Sequence, residues 1–107
     1  MPHFLIEATY SPQGLQGLQK DKASGRQAAI SKAVSEIGGK LVCVYYCLGE
    51  RDVIVIVDVP DTVTAASLGL AVSASGGVRT RTTPLLTIEE TDKALGMKGG
   101  YRPPGAA

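Results

Sequence analysis

The chain has 107 residues, 44% hydrophobic and 20% charged, with a formal net charge of +1, which fits one globular domain burying roughly two-thirds of its unfolded surface. So even a charge balance gives no general drive toward nucleic acid or an acidic surface, and no apolar stretch approaches the ~20 residues of a membrane span. With only two cysteines, Cys43 and Cys47, and one histidine, neither an intrachain disulfide nor a four-ligand zinc site is expected: on one strand the cysteines would stand about 13 Å apart, beyond bridging range.

Met1-Pro2-His3 places no basic region ahead of its short apolar run, so a secretory signal is not expected and the expected location is the cytoplasm. His3 to Tyr10 alternates as a strand, with Phe4, Ile6 and Ala8 on one face and Leu5, Glu7 and Thr9 on the other. Ser11-Pro12 reads as a helix cap followed by proline at the first helical position, opening a short turn through Leu18. Residues 20–25 read as a polar connection. Ile30, Ala33, Val34 and Ile37 then fall on one helical stripe, which Gly38-Gly39 ends.

Lys40 to Leu48 predicts a second strand, joined through the turn Gly49-Glu50-Arg51-Asp52 to an apolar third strand running to Val59. Pro60 stops that strand and Asp61 can cap a helix from Thr62 to about Ser75, whose stripe of Val63, Ala66, Leu70 and Ala74 is expected to sit close on a sheet. After Gly76-Gly77, Val78 to Ile88 predicts the last strand, with Arg79, Arg81 and Thr83 on its outward face and Pro84 placing it at a sheet edge. Glu89 to Leu95 has room for one helical turn, and residues 96–107 form a Gly/Pro-rich tail.

The order βαββαβ is that of a ferredoxin-like α+β fold, a four-stranded antiparallel sheet with strand order 4-1-3-2 and helices on one face. The run Val53-Ile54-Val55-Ile56-Val57 has no polar side, so both faces of its strand need cover. Helices supply only one. The other would expose Ile54, Ile56 or their Val neighbours, together with Leu5 and several Tyr or Cys side chains, a patch that monomers rarely leave bare. Pairing two sheets face to face, as a dimeric α/β barrel, is the expected solution.

Tyr10-Ser11-x-x-Gly14, Gly38-Gly39-Lys40-Leu41 leading to Tyr45, Gly49-Glu50-Arg51-Asp52 and Val78-Arg79-Thr80 together resemble the GYD-domain family over residues 3–90. This small bacterial family belongs to the dimeric α/β-barrel superfamily. The Gly-x-Tyr-Asp turn that names it reads Gly-Glu-Arg-Asp here, with Arg51 in place of Tyr. The resemblance implies a domain over residues 1–90; Gly/Pro-rich composition predicts a flexible extension over 91–107, and the apolar sheet face predicts a homodimer or higher homo-oligomer. Relatives in the superfamily include ligand-binding modules, small monooxygenases and isomerases, so the fold is better fixed than the activity.

Arg79 and Arg81 share a strand face and could enter an inter-subunit cleft to bind a carboxylate or phosphate; otherwise they are surface charge on an edge strand. Asp52 could be a carboxylate at the cleft mouth, even a general base, or simply close the turn through backbone hydrogen bonds. Tyr45 and Cys47 lie on one face with Cys43 and line a pocket if that face lines the barrel. A reactive thiol needs a neighbour that stabilises the thiolate, whereas a buried cysteine acts as a small hydrophobe; the family's usual Thr at the place of Cys47 argues against a shared nucleophile. His3 could serve as acid or base near neutral pH, or be a solvated strand end.

No nucleotide-binding glycine loop, nucleophile elbow or zinc-protease motif occurs, and no cofactor is expected. With no Trp and 5% aromatic residues, a stacking platform for nucleic acid is not expected either. The leading expectation is a homo-oligomer binding a small, possibly anionic, organic ligand between its sheets, through Arg79, Tyr45 and Asp52, with no nucleic-acid or membrane partner. The alternatives are a cofactor-independent monooxygenase- or isomerase-like enzyme, with Tyr45, His3 and Asp52 as its titratable groups, and a structural assembly protein.

Overall fold

Alternation along two strands decides the layers. In β1 (His3–Tyr10) and β3 (Val53–Asp58), the core-facing residues Phe4, Ile6, Ala8, Val53, Val55 and Val57 are buried, and Val59 joins them just past the strand. Phe4 lies opposite Val57, Ile6 opposite Val55 and Ala8 opposite Val53, so two apolar rows pair across the centre of the sheet. The computed structural model describes residues 1–106; Ala107, the last residue of the expected tail, lies outside the described residues. With β2 (Lys40–Tyr46) and β4 (Val78–Leu85), the sheet has the order β2-β3-β1-β4, antiparallel throughout. This is the expected ferredoxin-like arrangement.

α1 (Pro12–Glu36) and α2 (Thr62–Ala74) cover one face. Ser11 caps α1 by accepting from the Gly14 amide at 3.0 Å, and the fully buried Val34 anchors its far end. The expected short turn and polar connection are both helical. The break between them narrows to Lys22, whose φ of 63° and ψ of 168° interrupt the helix at one residue. Those angles lie in a region that side chains other than glycine's rarely occupy. α1 packs on β1 and β2, α2 packs on β4, and the two helices make little contact with each other.

α2 corrects the stripe expected from the sequence. Val63 and Leu70 are 78% and 71% exposed, while Ala65 and Gly69 are buried and Leu68 and Val72 half-buried. Gly69 decides the matter. Without a Cβ it lets the helix approach β4 closely enough for the Thr80 hydroxyl to donate to the Gly69 carbonyl at 3.3 Å and to meet the Ser73 hydroxyl at 3.0 Å.

β3 ends one residue earlier than expected, at Asp58, and β2 and β4 end earlier still. β2 stops at Tyr46, because the Cys47 amide donates to the Asp52 carbonyl at 2.8 Å and closes the hairpin. β4 stops at Leu85, because Thr87 opens a third helix, α3 (Ile88–Gly96), through a reciprocal capping box with Glu90. The bonds Glu90 shares with Thr87 hold its carboxyl below the ordinary value. Within β2 the register with β3 shifts between Leu41 and Cys43, a bulge that puts Leu41 on the helix side and Cys43 on the open side. No helix among the described residues is long and apolar enough to cross a membrane.

Candidate functional site

The sheet face away from α1 and α2 is a mosaic read across the strands. One row runs Cys43, Ile56, Leu5 and Thr83; the next runs Tyr45, Ile54, Glu7 and Arg81; beyond it Thr9 lies opposite Arg79. The middle of this face is therefore apolar, and the end nearest the β2–β3 turn is ionic. At that end an open depression of about 370 Å³ is lined by Glu7, Thr9, Glu50, Arg51, Arg79 and Arg81. Three guanidinium groups thus face two carboxylates. Arg51 Nε stands 3.6 Å from Glu7 Oε2. Among the described residues neither Arg79 nor Arg81 has a carboxylate within ion-pair range.

The strands explain the gathering. Arg79 and Arg81 alternate outward on β4, and Glu7 and Thr9 alternate outward on β1 beside them. The β2–β3 turn carries Glu50 and Arg51 toward the same corner. Such a set can present two forked donors and a hydroxyl to a carboxylate or phosphate.

The other expected site residues are spread out. Tyr45, 66% exposed, shares the row of Arg81 but on the opposite edge strand, three strand spacings or about 14 Å away. Cys47 is half-buried at the end of β2, outside the depression. Asp52 is engaged in the turn: its carboxylate accepts from the Tyr10 amide at 2.7 Å, and its own amide donates to the Ala8 carbonyl at 3.0 Å. His3 lies at the far end of β1, about 20 Å from Thr9 along the strand, where its Nδ1 pairs with Asp58 Oδ1. A single chain thus brings together Arg79 and Arg81 but not Tyr45, Cys47, Asp52 or His3.

Glu7, Thr9, Glu50 and Arg51 were not expected in the site. The signal for the first two was present: both turn away from the core in β1, and the order 4-1-3-2 makes β1 the neighbour of β4. Glu50 and Arg51 sit in a turn whose direction alternation does not give. Among the described residues no three His, Cys, Asp or Glu side chains gather as a metal site would require.

No curated protein matches the chain. The family model described as the GYD domain matches residues 4–95, and the motifs that suggested it have structural work here: Ser11 caps α1, Gly14 packs against Gly77, and Asp52 ties the β2–β3 turn to β1. The chain belongs to the GYD domain family.

Proposed function

We propose that two copies of this chain pack through their open sheet faces, and that the arginine-lined depression then holds a small organic anion between them. The observation that carries the reading is the juxtaposition on one uncovered face of an apolar strip, Leu5, Ile54 and Ile56, with the unpaired guanidinium groups of Arg79 and Arg81. The strip favours burial against a like surface. Burial of that face draws Arg79 and Arg81 out of water, which is costly without a counter-charge. A ligand carboxylate or phosphate provides it. Tyr45 then reaches the cleft from the partner's side or its own edge, as an aromatic wall.

Thermal-shift titration with small mono- and dicarboxylates and inorganic phosphate tests the site. At least one of these anions is expected to raise the melting temperature of the wild type, and Arg79→Ala is expected to lose most of that rise. A wild type indifferent to every anion, or a variant that responds equally, refutes the assignment.

A further inference from the structure

The helix side of the sheet holds a second space. Because α1 and α2 scarcely meet, a cavity of about 120 Å³ remains between them, open on one side. Its walls are apolar, from Ile6, Ile30, Val55, Leu68, Val72 and Val78. Small residues also line it: Ala29 and Ala33 on α1, and Gly69 on α2. The volume approaches the ~150 Å³ of an apolar cavity that takes up one benzene ring.

The polar residues on its wall are Arg26, Tyr10 and Thr80. Thr80 is already engaged with Gly69 and Ser73. Arg26 and Tyr10 line the cavity and are partly exposed. We propose that this cavity binds a small aromatic carboxylate, with the ring between α1 and α2 and the carboxylate held by Arg26 and the Tyr10 hydroxyl.

Three features fit this occupant. Arg26 meets Asp21 only at 3.7 Å, both side chains partly exposed, a pairing weak enough for a ligand carboxylate to replace. The Tyr10 and Tyr46 hydroxyls lie 3.3 Å apart. One proton serves the bond between them, so the other is free to donate to an incoming anion. Partial burial and that bond push the Tyr46 phenol up to about 12. The strained Lys22 lies next to Asp21 and one helical turn before Arg26, and strain of this kind collects at ligand clamps. This site is separate from the arginine depression, which lies on the opposite face of the sheet.

Methyl NMR titration of the full chain with sodium benzoate, and with benzyl alcohol as the uncharged probe, tests the proposal. Benzoate is expected to move the methyl signals of Ile30, Leu68 and Val72 and to leave those of Ile54 and Ile56 in place. It should bind at least about tenfold more tightly than benzyl alcohol, and Arg26→Gln should erase that advantage. Ala29→Leu fills the space and should abolish binding without lowering the melting temperature. Arg79→Ala should change nothing here, so failure of the open-face site and failure of this one are distinguishable. Absence of cavity shifts at millimolar benzoate, shifts confined to Ile54 and Ile56, or equal affinity for the two probes overturns the proposal. Should Ala29→Leu fail to fold, the partly exposed Arg26→Gln still decides it: unchanged benzoate affinity refutes the anchor.

Discussion

A methyl group on Gly14 would stand 2.0 Å from the Gly77 carbonyl oxygen and 3.1 Å from the Tyr10 ring. That oxygen also accepts from the Ser11 amide at 3.0 Å and the Ser11 hydroxyl at 3.2 Å, so it cannot move aside without breaking the joint between α1 and β4. Gly14→Ala is therefore expected to destabilise the fold by about 3 kcal/mol, at the upper end for overpacking, read as a lower urea midpoint at constant slope. Read from sequence alone, Gly14 only weakens a helix, because its true neighbour lies 63 residues away in the chain. Asp52 was more legible: carboxylates at turns bond to backbone amides, and this one does. The gathering of Arg51 with Glu7 could not be read, since it depends on the direction of a turn.

The elements differ in how far their patterns decide their faces. The Val-Ile run of β3 marks a central strand but not which of its two apolar sides meets the helices; its pairing with β1 puts Val53, Val55 and Val57 there. α2 is Ala-, Val- and Leu-rich all round, so it offers more than one stripe, and the one that faces inward is selected by β4 rather than by α2. Leu68→Ala is accordingly expected to cost about 2 kcal/mol and Leu70→Ser less than about 0.5 kcal/mol, a contrast measurable by thermal denaturation and opposite to the stripe drawn from the sequence. The start of the same helix is legible in Asp61, which accepts from the Thr64 hydroxyl at 2.7 Å and the Thr64 amide at 2.8 Å. These bonds hold its carboxyl below the ordinary 3.8. A folded-state value below the unfolded one means that the cap contributes fully above the ordinary value and is lost as pH falls through the lowered one. Asp61→Asn is expected to flatten that part of the acid-unfolding curve.

At the scale of the whole molecule, the radius of gyration is 17.1 Å, against about 13 Å for a compact domain of this length. α3 and the segment after it contribute to that spread: Leu95, Met97 and Tyr101 are exposed. On the proposed reading, sedimentation equilibrium at micromolar concentration gives a dimer, and Ile56→Lys, on the open face, gives a folded monomer; a monomeric wild type would remove the barrel. The overall architecture was readable because hydrophobic period and glycine punctuation are local, whereas the gap between α1 and α2 depends on how the two helices are seated on the sheet. The two outer strands carry one more consequence. β2 is kinked by its bulge near Val42, and β4 lacks an amide at Pro84. Both devices interrupt the ladder that a foreign strand would zip onto, so templated fibre growth from the native state is disfavoured. Crowded solutions of this protein should associate face to face before they stack into cross-β ribbons.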